Sequence, residues 1–355
     1  MRILLLGEFS SLYKNLKAGL EALGHEVITA SSGDGYKKIP SDIRLKSNFP
    51  GVIGRVISKL NPIFKIRDFE GFDVVQVVNP FVFYHSLFPN KYFYKRLISK
   101  NSKFFISGAG DDAYFWRFGR SRLKYGPFDD FLHYDLKRPS YYLESDKCYI
   151  FNKWLLGISN GLIPIMYEYE VSYEEDAKKL DTVPIPIHIQ DIEYRDNIVR
   201  ERLVVFHGLN RYGFKGTRHV EAAFEYLSRA YPDDLELIID GNLPLHEYLK
   251  IMERSNVVID QMHSHSLGVN GLYAMAMGKV VIGGAEPESL ESHKVTSSPA
   301  INVKPSSQDL IRVIENLLER KLEIQNIGKA SRQYVENVHD SVHIARKYLE
   351  IWSAN

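Results

Sequence analysis

The sequence predicts an α/β protein made of two doubly wound halves in series, facing each other across a cleft. Three observations predict it. The chain has 355 residues, more than one hydrophobic core usually organises. Short apolar runs bounded by glycine alternate with helix-length stretches, once before residue 165 and again after residue 203, which is the pattern of parallel βαβ units. Between the two series, Val183–Gln190 (VPIPIHIQ) carries Pro184 and Pro186, which remove backbone donors and favour extended chain. The expected domains are 1–195, 196–335 and a helix over 336–355 that packs back on the first.

Arg2–Gly7 (RILLLG) is a continuous apolar run ending in glycine, as expected of a strand buried on both faces. Leu16, Leu20 and Leu23 follow at helical spacing, Gly24 stops the helix, and Glu26–Ala30 resumes a strand. Val74–Val78, Phe104–Ser107 and Leu162–Ile165 are further strands of the first half. In the second half the expected strands are Leu203–Phe206, Leu235–Ile239, Val257–Asp260 and Val280–Ile282. Helices are expected over 217–230, 245–254, 270–277, 307–320 and 336–352. Ser306, three residues before Asp309 and ahead of the stripe Leu310, Ile314, Leu317, reads as a helix cap.

Composition narrows the function. An apolar fraction of 45% with 25% charged residues excludes wholesale disorder. The single cysteine, Cys148, makes no internal disulfide, so a reducing, cytoplasmic setting is expected. Ile3–Leu6 is too short for a secretory leader, and no apolar stretch reaches the roughly 20 residues of a membrane span. The net charge is +1, yet residues 37 to 138 hold 19 Lys and Arg against 9 Asp and Glu. Such asymmetry points to an anionic partner for that region; no nucleic-acid module signature accompanies it, and nucleic acid is not expected.

The chemistry-bearing motifs fall at predicted strand ends, where open parallel sheets bind ligands. His207–Gly216 (HGLNRYGFKG) contains Gly208 and presents Arg211 and Lys215, two cations suited to the charge that develops on a departing phosphate. Asp260–Lys279 (DQMHSHSLGVNGLYAMAMGK) crosses a polar glycine loop into a helix, whose first amides and dipole make a diphosphate site at Gly268, Val269 and Asn270. Ser264, Ser266, His263 and His265 add polar donors there. A His-x-His pair also ligates metals, but with no carboxylate cluster nearby in sequence these histidines are read as ligand-loop donors, and no metal site is expected. Gly241, in Asp240–Pro244 (DGNLP), and Glu286 and Glu288, in Gly283–Glu288 (GGAEPE), end two further strands. The two carboxylates suit sugar hydroxyls or compensate helix-start charge. In the first half, Asp111 and Asp112 of Ser107–Asp112 (SGAGDD) are candidates to orient an acceptor hydroxyl or to cap a turn.

In order, HGLNRYGFKGT, LIIDGNLP, DQMHSHSLGVNGLYAMAMGK and VVIGGAEPE resemble the donor half of group 1, family 4-like glycosyltransferases. The resemblance covers the second half well and the first in outline. It implies the GT-B fold of two Rossmann-like domains, with Arg211, Lys215 and the loop through Gly268 and Asn270 on the donor diphosphate. It further implies retention of configuration and a glycan or lipid-linked acceptor. One departure is plain: Tyr273 stands where the family carries a glutamate that holds the donor ribose. The expected function is transfer of a sugar from a nucleotide-diphosphate donor, with no cofactor required. A nucleotide-sugar epimerase on the same fold, or a catalytically silent sugar-nucleotide or glycan-binding protein, are the alternatives. A nicotinamide dehydrogenase does not fit, because no GxGxxG follows Gly7.

Within residues 43–68, Val52, Ile53, Val56, Ile57 and Leu60 share one helical face, flanked by Arg55 and Lys59. Two readings remain open: a helix packed on the core, or a basic amphipathic segment on an anionic membrane surface, which would make the protein peripheral at the membrane.

Overall fold

The computed structural model describes residues 1–85, 88–136, 141–241, 243 and 245–355. The first half runs β1 (Arg2–Leu6), α1 (Leu12–Ala22), β2 (Glu26–Ser31), β3 (Ile43–Arg44), α2 (Gly51–Phe64), β4 (Val74–Val77), α3 (Asn90–Ser99) and β5 (Lys103–Gly108). It continues through α4 (Arg120–Arg122), α5 (Phe128–Tyr134), α6 (Asp146–Ile158), β6 (Gly161–Pro164) and α7 (Tyr167–Ser172). The second half runs β7 (Leu203–Gly208), α8 (Tyr212–Lys215), α9 (Thr217–Ala230), β8 (Leu235–Asp240), α10 (Leu245–Arg254), β9 (Val257–Ile259), α11 (Val269–Ala276) and β10 (Val280–Ile282). It ends with α12 (Pro287–Ser292), α13 (Ser307–Glu319), α14 (Ile324–Val338) and α15 (Ser341–Ala354).

The chain divides into two compact units. Unit 1 comprises Met1–Phe118, Tyr142–His188 and Ser341–Asn355; unit 2 comprises Gly119–Tyr141 and Ile189–Asp340. These ranges differ from the expected domains in three places, the last at Asp340, where unit 2 ends instead of at residue 335. Gly119–Tyr141 joins the second unit because Phe128 and Phe131 of α5 pack edge-on against Phe214 of α8. The first unit stops at His188 instead of residue 195, because Arg332 of α14 donates to the Ile192 carbonyl at 3.0 Å and Tyr194 packs against Gly278, which fastens 189–195 to the second unit.

Unit 1 holds a parallel sheet in the order β3-β2-β1-β4-β5-β6. Its β1, β4 and β6 are almost wholly buried, which is why they read as unbroken apolar runs rather than alternations. Pro164 ends the edge strand β6, where a missing donor costs no ladder bond. The last helix, α15, lies against α1. A side chain at Gly19 would strike the Ser341 carbonyl, so only glycine permits that approach. Trp352 is buried and its Nε1–H donates to Gln76 Oε1 at 2.7 Å. Lys103 Nζ donates to the Trp352 carbonyl at 2.6 Å, a cation at the negative end of the helix. On α2, Val52, Ile53 and Val56 are exposed, with Phe49 and Phe64 beside them, whereas Ile57 and Leu60 are partly covered. The apolar face is thus only half used by the core.

Unit 2 holds a parallel sheet in the order β10-β9-β7-β8. Val205, Val257, Ile259, Val280 and Ile282 meet Leu227 of α9 and Leu310, Ile314 and Leu317 of α13 in one core cluster. Ser306 caps α13, its Oγ accepting from the Asp309 amide at 3.3 Å. The helix expected over 336–352 is two helices, because the chain turns at His339 and Asp340 to leave unit 2 for unit 1.

Candidate nucleotide-sugar site

The site in unit 2 begins at the carboxyl end of β7. His207 is fully buried; its Nδ1 lies 3.1 Å from the Ile259 carbonyl, which only accepts, and its Nε2 lies 3.0 Å from Thr217 Oγ1. The ring is therefore the Nδ1–H tautomer. Burial, aided by the nearby Lys215 charge, pulls its pKa down to about 3, so it works as a neutral link between β7, β9 and α9. Gly208 follows, packed so that a side chain would collide with the Tyr248 hydroxyl, and Gly241 after β8 would collide with the Leu209 carbonyl. Both glycines thus meet a packing demand within the unit.

Arg211 stands at the N-terminus of α8, its guanidinium over the rings of Phe131 (4.6 Å) and Phe214 (3.7 Å). Lys215 ends α8 and is buried; its Nζ lies 3.8 Å from Asp260 Oδ1. The other oxygen of Asp260 accepts from the Gly268 amide at 2.7 Å. Gly268 is the N-cap of α11, so the buried lysine and the helix start are held on one carboxylate. This corrects the expectation for Gly268: its N–H already has an acceptor. Val269 and Asn270 occupy the first turn, where amides have no intrahelical acceptor. Tyr273 lies one turn further along α11 and is partly buried.

The flanking loop is internally knitted. Ser264 Oγ donates to the Ser266 carbonyl at 3.0 Å, and Ser289 Oγ donates to Ser266 Oγ at 2.8 Å. The Glu286 amide donates to the His265 carbonyl at 3.1 Å, which ties the 285–289 turn to the 263–268 loop.

Gly119–Tyr141 lies across this assembly, which sequence reasoning missed. Tyr125 stacks on His265 at 4.4 Å between ring centres, and its hydroxyl donates to Glu286 Oε1 at 2.6 Å. Lys124 pairs with Glu288, holding that carboxyl below its usual range. The Phe214 amide donates to Asp135 Oδ2 at 3.0 Å. His263 Nδ1 lies 3.2 Å from the Gly126 carbonyl and its Nε2 lies 3.5 Å from Asp130 Oδ2. His263 thus has one carboxylate beside it in space, although no carboxylate cluster lies near the histidine pair in sequence. Asp130, 133 positions earlier in the chain, supplies one, and no local sequence signal announces it. Of the sequence-predicted residues of unit 2, Lys215 and Gly268 meet at Asp260, Gly208 and Gly241 pack against Tyr248 and Leu209, and Glu286, Glu288, His263 and His265 meet protein partners.

In unit 1, Asp112 is fully buried. It accepts from the Phe115 amide at 2.8 Å and the Tyr173 hydroxyl at 2.9 Å, and burial raises its pKa to about 6. It caps the turn after β5 and presents no face to an acceptor, which removes it from the candidate catalytic pair. Its neighbour Asp111 is partly exposed.

No family model matches the chain, and no curated protein is similar to it in sequence. Solved structures do match. Sucrose-phosphate synthase from Thermosynechococcus elongatus superposes with a TM-score of 0.65 at 14% identity, over 100% of both chains. HepE from Anabaena, in complex with UDP and glucose, gives 0.65 at 12% identity, again over 100% of both chains. UDP-GlcNAc 2-epimerase from Neisseria meningitidis, bound to UDP-GlcNAc, gives 0.54 at 12% identity with the same coverage. With the two parallel-sheet units described above, these likenesses establish that the chain has the GT-B fold.

Proposed function

We propose that the protein is a glycosyltransferase that moves a sugar from a nucleotide-diphosphate donor, held in unit 2, to a glycan or lipid-linked acceptor. The observation that carries this reading is the meeting of Lys215 and the start of α11 at Asp260. A buried ammonium and an N-terminal dipole so close together suit the two phosphates of a diphosphate. Arg211 lies four residues from Lys215 at the opposite end of α8 and adds a second cation. As the glycosidic bond breaks, charge grows on the departing diphosphate, and these fixed groups stabilise it in place. The scheme requires no metal on the diphosphate. Retention of configuration belongs to the same reading, as does a role for Asp111 in orienting the acceptor hydroxyl.

We further propose that α2 rests on an anionic membrane surface. Among the described residues no helix is long and apolar enough to cross a membrane, and the exposed Val52, Ile53 and Val56 lie beside Arg55 and Lys59. That pairing suits insertion to the depth of headgroups.

The test is calorimetric titration with UDP, GDP, ADP and TDP, followed by turnover of the matching sugar nucleotide. One nucleotide is expected to bind, and at 100 times its Kd to stabilise the protein by about 2.7 kcal/mol. Failure of all four overturns the reading. A second reading, a silent sugar-nucleotide-binding protein, is favoured by Tyr273 and by the engagement of Glu286 with Tyr125; it predicts binding without turnover. An epimerase predicts conversion of the donor with no acceptor present.

A further inference from the structure

Beside the proposed donor site, three side chains from distant parts of the sequence converge inside unit 2. They are Asp130 on α5, His219 in the first turn of α9, and His263 in the loop before α11, with one ligand atom from each within 4.8 Å of the others. We propose that Asp130, His219 and His263 form a binding site for a divalent cation of the zinc class, which clasps Gly119–Tyr141 to the rest of the unit.

Two imidazoles and a carboxylate are a donor set that zinc favours, with a fourth position left for water. The Nε2 atoms of both histidines are buried and have no hydrogen-bond partner, an arrangement that costs free energy when nothing fills it. His263 shows the reason for its own orientation. Its Nδ1 must donate to the Gly126 carbonyl at 3.2 Å, which leaves the Nε2 lone pair aimed at Asp130 Oδ2, 3.5 Å away. Two acceptors facing each other in a buried place repel unless a cation lies between them. The carbonyl on the far nitrogen is the outer-shell contact that metal-bound histidines ordinarily make. Arg218 holds Asp130 through Oδ2 and so fixes the carboxylate from outside in the same manner.

Geometry leaves little to adjust. Metal bonds of about 2.0–2.1 Å in a tetrahedral site bring ligand atoms to about 3.3 Å of one another. The His263–Asp130 pair is already near that spacing, and the His219 ring, centred 5.5 Å from that of His263, closes the remainder by rotating about its side-chain bonds.

The test uses the untagged full chain, stripped with a chelator and titrated with ZnCl2 by calorimetry and with CoCl2 by visible absorption, without nucleotide. One ion per chain is expected, with the strong colour of four-coordinate cobalt. His219→Ala and Asp130→Asn, each checked for folding by circular dichroism, should weaken binding at least about tenfold, whereas replacing the exposed His246 leaves it unchanged. Zinc-edge X-ray absorption of the unaltered protein should show imidazole scattering. No stoichiometric binding, binding indifferent to both substitutions, or a zinc shell without imidazole overturns the proposal. Because no sugar nucleotide is present, the outcome is independent of the donor reading.

Discussion

At the residue scale, buried charge decides behaviour. Lys215 is the buried cation of the proposed donor site, with its Nζ 3.8 Å from Asp260 Oδ1. Lys215→Ala is expected to slow sugar transfer by a factor of about ten or more, each tenfold being about 1.4 kcal/mol of transition-state stabilisation. Steady-state kinetics with the best donor reads the effect, and an unchanged kcat removes Lys215 from the leaving-group role. In unit 1, burial raises the Glu8 carboxyl from 4.5 to about 7, against the hydrogen bonds it accepts from the Lys14 and Tyr13 amides. The folded protein keeps this proton up to about pH 7, and the unfolded chain releases it near 4.5. Stability from this group is thus complete below pH 4.5 and is lost as pH rises through 7, by up to about 3 kcal/mol. Asp112, raised to about 6, adds in the same direction. Glu8→Gln should flatten the fall in Tm between pH 5 and pH 8; an identical pH profile would show that Glu8 ionises normally.

At the scale of elements, the segment around α5 and the helix α2 carry the testable consequences. Tyr125 engages both a histidine and a carboxylate of the proposed donor loops, so on that reading a ligand hydroxyl seeking Glu286 competes with it. Tyr125→Phe retains the stacking and releases the carboxylate, and tighter nucleotide-sugar binding by calorimetry is the expected outcome; weaker binding would instead make the Tyr125 hydroxyl part of the site. For α2, the double change Val52→Asp and Ile53→Asp should abolish flotation with vesicles rich in anionic lipid while leaving circular dichroism unchanged, since both side chains are exposed. Equal recovery of parent and variant would return α2 to the solvent. Sequence periodicity gave the apolar face of this helix correctly in composition, but the split between covered and exposed residues depends on neighbours that no local pattern encodes. The same limit explains β3, a two-residue strand too short for any alternation to register. By contrast β1, β4 and β7 were legible because strands buried on both faces need unbroken apolar runs, and the cap at Ser306 was legible because its chemistry is local.

At the scale of the whole molecule, what escaped the sequence is the membership of Gly119–Tyr141. Its composition resembles its neighbours, and only the packing of Phe128 and Phe131 on Phe214, with Gly213 allowing the α5 backbone to approach α8, assigns it to unit 2. The loops proposed to hold the donor stand out in the sequence because glycine, cation and helix start occur together in short stretches; Asp130, His219 and Tyr125 do not, because their partners lie 44 to 161 positions away in sequence. A fragment of residues 189–340 is therefore expected to be less stable than one to which 119–141 is supplied, by at least about 3 kcal/mol, the usual cost of losing a buried aromatic contact. Denaturant titration of both forms measures this, and equal midpoints would show that the segment is dispensable to the unit.

The return of α15 to α1 has a consequence for biosynthesis. At the ribosome's pace of about 5–20 residues per second, the flank of α1 that α15 covers stays bare throughout translation of residues 189–340. The amino-terminal sheet emerges first yet is closed last, so a nascent chain halted before Ser341 would offer chaperones an apolar seam along α1, and this seam vanishes only when α15 arrives.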